Sequence, residues 1–504
     1  MKILLLNPPF RVRLSSKYER FFVRAGSRWP YSEYKKISEP SIYRPFPFFL
    51  AYTAALLNKE RYEVNVIDGV ALQYTEKEFL SKVLSKKVDF VIIEIAPFSI
   101  NSDINIAKKL KEENKNTKIV AVGPFVPLLI QYIKNNQVFD YCINGEYEFA
   151  VLNLIKHISK GQDIKIKGVV DLHKTDKVCI DHTIDHTDLI ENLDDLPFPY
   201  REIFPSNENP DINVYWDVFC QLRPAVQIHT SRGCPYRCYF CLWNQVVYNE
   251  GKYRTFSIKR VVDEIEYIIK KFNAKEIYID DDDFTINRNH VKGICEEIIR
   301  RKLNIKWSCM ADAINLDEEL IFLMAKSGCI GIKFGVESVS KEVLKFIGKP
   351  VKIEKVKNLV KWCNKYGIRT HATFTFGLLG ETKQTMKESL EFAKRLDVDS
   401  IQFSIATPYP GTKFYSIVTS NNWLTDFDWL NYDGSCRCVV SYPNLKNYEI
   451  EKFYSIAFKQ WFINKIINLK WLYRQIKIIF RMIITQELKY NVNFVKRLFS
   501  KIFG

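Results

Sequence analysis

Ser231-Arg-Gly-Cys234-Pro-Tyr-Arg-Cys238-Tyr-Phe240-Cys241-Leu-Trp243 sets three thiols on one short loop, at the spacing C-x3-C-x2-C. Iron–sulfur clusters are held by cysteine thiolates, so three thiolates placed this closely can take three corners of a 4Fe–4S cubane. No fourth cysteine follows nearby, which leaves one iron open to an outside ligand. The competing readings are a zinc knuckle and a disulfide loop. Zinc calls for a fourth Cys or His at a familiar spacing, and none follows soon. The other cysteines of the twelve are scattered, apart from Cys436 and Cys438, unlike a secreted disulfide framework. That pair alone is too small for a second cluster, and free buried thiols are its ordinary reading.

Around this loop the chain alternates strands and helices. Val226, Ile228 and Thr230 read as a strand leading into the cysteines, and Ser257 as the cap of a helix with apolar positions Val261, Val262, Ile265, Ile268, Ile269 and Phe272. Further strands are expected at 276–280, 305–310, 330–335, 370–376 and 400–405, with helices between them. Six such units make a partial (β/α) barrel, whose active site belongs at the C-terminal ends of the strands. Upstream, strands at 2–7, 63–68, 90–96, 118–123 and 140–144 alternate with helices such as 48–58 and 76–84. That pattern predicts a Rossmann-like parallel sheet with ligand loops at its strand ends. The fold class is therefore α/β. The expected divisions are residues 1–160, a polar linker at 161–220, the barrel at 221–420 and a helical region at 421–504. The linker holds Asp181-His182-x3-Asp185-His186, an HxxxH spacing without helical apolar pattern, read as a solvated segment.

Each strand end of the barrel carries a candidate site. Asp280-Asp281-Asp282-Asp283-Phe284 stacks carboxylates after the second strand. Gly335-Val336-Glu337-Ser338 follows the fourth, and a carboxylate there accepts two hydrogen bonds without competing donors. Gly377-Leu-Leu-Gly380-Glu381-Thr382 follows the fifth, with glycines that let a backbone approach a flat ring. Pro408-Tyr409-Pro410-Gly411-Thr412 follows the sixth.

Together with the cysteine triad, these segments resemble the radical S-adenosylmethionine (SAM) superfamily. The resemblance implies that Cys234, Cys238 and Cys241 bind a 4Fe–4S cluster whose open iron takes the amino and carboxylate groups of SAM. It implies that Phe240 packs near the adenine and that Asp281 and Asp282 meet the methionine ammonium or the substrate. Glu337, followed by Ser338, would accept the ribose hydroxyls, and the turn of Gly377, Gly380 and Glu381 would lie by the adenine. One departure stands out: many relatives place an Arg five residues after the tryptophan of the third strand, and here Trp307 is followed at that distance by Asp312.

Asn7-Pro8-Pro9, Ala51-Tyr52-x-Ala54-Ala55, Val64-x-Val66-Ile67-Asp68, Val122-Gly123-Pro124 and Gly145-Glu-x-Glu148 resemble, in this order, the cobalamin-binding domain found ahead of many radical SAM domains. Asn7, Gly123 and Gly145 are then the expected cobalamin contacts. The Asp-x-His-x-x-Gly loop that supplies a cobalt ligand in some such domains is missing, and the first histidine is His157, so cobalamin is expected without a His ligand from the N-terminal domain. The alternative is a domain that has lost the cofactor and serves as a substrate lid.

The net charge of +16 is uneven: the last 54 residues hold eleven Lys or Arg against two acids, interleaved with aromatic and aliphatic residues. This predicts amphipathic helices that cap the barrel, dock on an anionic membrane, or do both. No nucleic-acid module is recognisable, and none of that partnership is expected. No secretory signal or apolar run of membrane-spanning length is read, so the expected location is the cytoplasm, with peripheral membrane contact through the tail. The resemblance implies a cobalamin-dependent methyltransferase acting on an unactivated carbon of a lipid, glycan or other small molecule, with a flavodoxin- or ferredoxin-type electron donor. A non-methylating radical enzyme and a non-catalytic Fe–S sensor are the alternatives.

Overall fold

The computed structural model describes residues 1–24, 31–174, 185–248, 251–435 and 437–485, with the side chains of the last helix described to residue 480. His182, Cys436 and the tail beyond residue 485 lie outside the described residues. Contacts divide the chain into two compact units, residues 1–215 with 245–249, and residues 216–244 with 250–504.

The first unit is built from strands β1 (Lys2–Asn7), β2 (Phe10–Arg13), β3 (Tyr18–Val23), β4 (Tyr31–Lys36), β5 (Glu63–Asp68), β6 (Phe90–Glu94), β7 (Lys118–Val122), β8 (Tyr141–Ile143) and β9 (Val169–Asp171). Its helices are α1 (Phe48–Lys59), α2 (Glu76–Leu84), α3 (Ile100–Glu113), α4 (Val126–Asn136) and α5 (Glu148–Ser159). The main sheet runs β5-β1-β6-β7-β8-β9, parallel except for β9. Its strands are continuous apolar runs such as Ile3–Leu6, buried on both faces as a helix-covered parallel sheet requires. The strand order reverses between β1 and β6, and in such sheets the crevice beyond that point is where ligands bind.

Strands β2, β3 and β4 form a separate antiparallel sheet that the strand–helix alternation of the sequence does not announce. It buries charge by pairing it: the Glu19 carboxylate sits between Arg11, at 3.0 Å, and Lys35, at 2.8 Å.

The second unit contains β10 (Ala225–Ile228), β11 (Ser231–Arg232), β12 (Arg254–Thr255), β13 (Glu276–Ile279), β14 (Lys306–Ala311), β15 (Cys329–Glu337), β16 (Arg369–Phe376) and β17 (Ser400–Ile405). Helices α6 (Ile258–Phe272), α7 (Arg288–Arg300), α8 (Glu318–Lys326), α9 (Lys341–Phe346), α10 (Ile353–Tyr366), α11 (Lys383–Arg395) and α12 (Lys413–Ser420) alternate with them, and α13 (Asn447–Ile466) and α14 (Leu469–Thr485) end the described chain. Ser257 caps α6 by accepting the Arg260 N–H, as its position in the sequence suggests. Six parallel strands lie in the order β10-β13-β14-β15-β16-β17, and among the described residues the two outer strands do not pair with each other, so the sheet is open rather than a closed barrel. Strand β15 runs on through Glu337, two residues past its expected end, and Thr230 lies beyond β10.

One face of this sheet is covered by helices: Phe374 packs on Phe392 of α11, and Phe376 meets Phe453 of α13 edge-on. The other face is closed at the N-terminal ends of the strands by Phe219. Its ring approaches the bare backbone of Gly331, with Lys333 and Arg369 5.3 and 4.9 Å from its centroid. The cysteine loop follows β10 at the opposite, C-terminal ends of the strands.

Candidate active site

The cysteine loop is shaped by backbone and carboxylates together. Gly233, with φ +83°, runs so close to the Lys252 carbonyl that any side chain would collide with it. The Gly233 N–H donates to Asp282 Oδ2 at 2.9 Å. Asp281 accepts the Thr230 N–H and the Ser231 hydroxyl, both at 2.6 Å, and the Thr230 hydroxyl. These two carboxylates, expected to meet SAM or substrate, thus brace the strand end that carries the cysteines. Burial pushes the Asp281 carboxyl up to about 6. Asp283 bends its own loop, accepting the N–H and hydroxyl of Thr285.

Burial raises all three thiols, Cys238 to about 12, and the Cys241 sulfur adds to the rise at both Cys234 and Cys238. The three thiols therefore lie within electrostatic reach of one another on one loop. Thiol donors of this kind become ligands by losing their protons to a metal. Among the described residues no three His, Cys, Asp or Glu side chains converge on a single ion. The donor set, three thiols with one available to each of three irons, fits the cubane.

Beside this loop stands Glu337, at the end of β15 and with φ +65°, a left-handed conformation that is uncommon for non-glycine residues. Its carboxylate accepts the Thr375 hydroxyl at 2.7 Å and pairs with Lys349 Nζ at 3.1 Å. Lys349 was not singled out in the sequence. Burial works against its ammonium, but Glu337, Asp312 and Cys238 outweigh that and hold its pKa above the ordinary lysine value. Its amine lies 2.5 Å from where a Cβ on Gly335 would project, so the glycine of Gly-x-Glu-Ser clears the space for it. The turn at Gly348 lies against the Arg237 carbonyl, and the Tyr239 N–H donates to the Ile347 carbonyl at 2.9 Å, which fixes Lys349 next to the cysteines. A cation thus stands near Asp312, where the third strand carries no arginine. In the sequence, Gly348-Lys349-Pro350 reads only as a turn.

The remaining expected contacts divide by role. Ser338 is buried, its hydroxyl 3.4 Å from that of Ser389 on α11 and accepting the Ser340 N–H. Glu381 folds its own turn, accepting the N–H groups of Gly377 and Leu378, and burial raises it to about 8. Gly380 lies against the Phe346 ring. Phe240 is half-buried in the cysteine loop.

Towards the β17 edge, the face of the sheet opposite the helices changes character. On β16 and β17 the paired residues Thr373–Gln402 and Thr375–Ser404 point to this face, while their neighbours Ala372, Phe374 and Phe403 are buried against helices. Gln402 is exposed and donates to Ser404 at 3.0 Å. Parallel strands are usually apolar on both faces, so this neutral polar row marks a surface meant for water or a polar ligand.

In the first unit, Asn7 and Asp68 meet at the ends of β1 and β5: Asn7 Nδ2 donates to Asp68 at 2.8 Å, and the Tyr215 hydroxyl donates to the same carboxylate at 2.9 Å. Glu94, at the end of β6, accepts the Tyr147 hydroxyl at 3.1 Å and is raised by burial to about 7. Gly123 faces Glu94, and Gly145 faces Thr187, whose oxygen lies 2.6 Å from where a Cβ would stand. These loops lie at the C-terminal ends of the strands, and the bare Gly123 and Gly145 let Glu94 and Thr187 pack directly against the backbone there. The end of the connector is not the solvated segment expected: Thr187 donates its N–H to the Asn144 carbonyl, and His186 lies half-buried beside Gly145, where burial lowers its pKa. It packs there because its backbone completes the hydrogen bonding of the loop after β8.

Residues 228–393 match the Radical SAM superfamily. Over 84% of its length this chain is 28% identical to the uncharacterized methyltransferase PH0819 of Pyrococcus horikoshii, of which the match covers 89%. It is 26% identical to the anaerobic magnesium-protoporphyrin IX monomethyl ester cyclase of Rubrivivax gelatinosus, over 77% of this chain and 68% of that one. The fold is shared with the radical SAM methyltransferase TsrM of Kitasatospora setae, solved with cobalamin and a [4Fe-4S] cluster bound, at a TM-score of 0.62 and 19% identity over 83% of this chain and 78% of that one.

Proposed function

We propose that this chain, which carries a radical SAM domain, is an enzyme that cleaves SAM at a 4Fe–4S cluster and, with cobalamin, methylates an unactivated carbon of a small molecule. The observation that carries this reading is the convergence of the cysteine loop with Glu337 and Lys349 at the C-terminal ends of the strands. When bound, the cluster supplies the electron that splits SAM into methionine and a 5′-deoxyadenosyl radical, and cobalamin supplies the methyl group.

The chain's own residues bind and orient. Cys234, Cys238 and Cys241 would each hold one iron as a thiolate, so cluster loading would release protons. Glu337, already positioned by Thr375 and Lys349, would accept the ribose hydroxyls of SAM. Lys349 brings a positive charge to the cysteines and to a ligand carboxylate beside them. Asp281 and Asp282 act as positioning residues through Thr230, Ser231 and Gly233. Phe240 and the Gly377–Glu381 turn would line the adenine, and Asn7, Gly123 and Gly145 the cobalamin edge of the first unit. Thr373, Gln402 and Ser404 add neutral polar groups to the face beside Thr375, whose hydroxyl is committed to Glu337. This row favours a polar small molecule, or the polar head of a lipid-linked one, as substrate. A low-potential donor of flavodoxin or ferredoxin type supplies electrons. The setting is the cytoplasm, with peripheral membrane contact through the C-terminal helices.

The similarity to a cyclase supports a second reading, in which the substrate radical closes a ring instead of taking a methyl group. Anaerobic reconstitution with cobalamin, SAM and reductant separates the outcomes. Methylation releases S-adenosylhomocysteine together with 5′-deoxyadenosine, and cyclisation releases only the latter. Intact SAM after cluster reduction would leave a non-catalytic sensor.

A further inference from the structure

Helix α14 is pinned by one face and presents the other outward. On the pinned side, the Trp471 indole N–H donates to the Asp399 carbonyl at 3.2 Å, and Arg474 pairs with Asp397 and Asp399 at 2.7 and 2.8 Å. Trp471 also meets Trp461 and Phe462 of α13 edge-on. On the outward side, Leu469, Tyr473, Ile476 and Phe480 follow at spacings of four, three and four residues, which places them in one stripe along the helix. They are 80, 59, 64 and 62% exposed. Ile463 and Ile466 of α13 are exposed as well.

Soluble surfaces rarely leave so continuous an apolar stripe uncovered unless something binds it. Its flanks say what. Lys470 and Lys477 border the stripe, with the Lys477 ammonium 4.4 Å from the Tyr473 ring centroid. From Leu469 to Gly504 the chain has eight Lys or Arg and one acid. A second copy packing this helix against itself would bring like charges together, because a two-fold contact meets its own surface. An anionic bilayer offers both complements at once, acyl chains for the stripe and headgroup charge for the lysines. Among the described residues no helix is long and apolar enough to cross a membrane, so the helix would lie in the interfacial plane.

We propose that α14 docks this protein on an anionic membrane surface, with Leu469, Tyr473, Ile476 and Phe480 entering the headgroup–acyl boundary and Lys470 and Lys477 meeting lipid anions. This narrows the peripheral contact proposed above to one helix face and one lipid charge, and it holds whichever reaction the radical SAM domain performs.

The test is co-sedimentation of the full chain with phosphatidylcholine vesicles, with or without phosphatidylglycerol. Binding is expected only to the mixed vesicles and should weaken as salt rises. Replacing Lys470 and Lys477 by Gln should lower the partition coefficient by about fivefold for each lysine. The pair Ile476→Glu with Phe480→Glu should abolish binding while SAM cleavage and the thermal midpoint stay at wild-type values. Equal binding to neutral vesicles, unchanged binding in the Glu pair, or a dimer in sedimentation velocity that the Glu pair dissolves would each overturn the proposal. SAM cleavage is read separately, so loss of vesicle binding with cleavage intact condemns only the docking face.

Discussion

Lys349 is the residue on which the electrostatics of the site turns. It is a largely buried cation whose partners, Glu337, Asp312 and Cys238, come from three different segments. Removing it with Lys349→Met leaves Glu337 and Asp312 buried without a counter-charge, which typically costs about 3–5 kcal/mol; urea denaturation should show that loss. Glu337→Gln keeps the shape but removes the charge, and anaerobic equilibrium dialysis should find SAM held about tenfold more weakly, as for a lost hydrogen bond to a charged group. At the other end of the sheet, Glu276 accepts the N–H groups of Gln221 and Leu222 and the Ser308 hydroxyl, and burial still raises it from about 4.5 to about 7. A carboxyl raised on folding favours the folded state below its unfolded pKa and loses that advantage as pH climbs through the folded value. Glu276→Gln should therefore flatten the fall in stability between about pH 4.5 and about pH 7, measured by denaturation across that range.

Among the elements, the parallel strands were the most legible part of the sequence. Runs such as Ile3–Leu6 and Val91–Ile93 are apolar because helices cover both faces, and a residue or two at their ends was all that sequence patterning misplaced. The β2–β4 sheet was not legible, since its strands bury Glu19 and Lys35 against each other and so read as polar surface. The site divided in the same way. Cysteines and glycines carry their chemistry in their spacing, whereas the bracing role of Asp281 depends on a contact with Thr230 some fifty residues away along the chain. Lys349 was hidden because a lysine between Gly and Pro carries no periodicity. For the C-terminal helices, charge and aromatic content left capping and docking both open, and packing supplies the capping contacts. On α13, Trp461 is nearly fully buried and its N–H donates to the Ala393 carbonyl at 3.2 Å. Trp461→Ala should cost about 3–5 kcal/mol, seen as a lowered denaturation midpoint.

Across the whole molecule, the proposed function divides the chemistry between the two units, and one substitution tests that division. Cys238→Ala should abolish cluster-dependent SAM cleavage while the absorbance of bound cobalamin persists, because the cysteine loop and the β1–β6 crevice belong to different units. Loss of both signals together would mean that the first unit depends on the loop for its folding. The stability of the chain as a whole also bears on its history. Glu337 holds a backbone conformation in which glycine would rest more easily. Selection for stability therefore weighs two opposed terms here, relief of the backbone against loss of the carboxylate that pairs with the Lys349 ammonium. In a lineage released from the reaction, drift from Glu337 to glycine would become neutral only once Lys349 had also been replaced, so the two residues should be lost together.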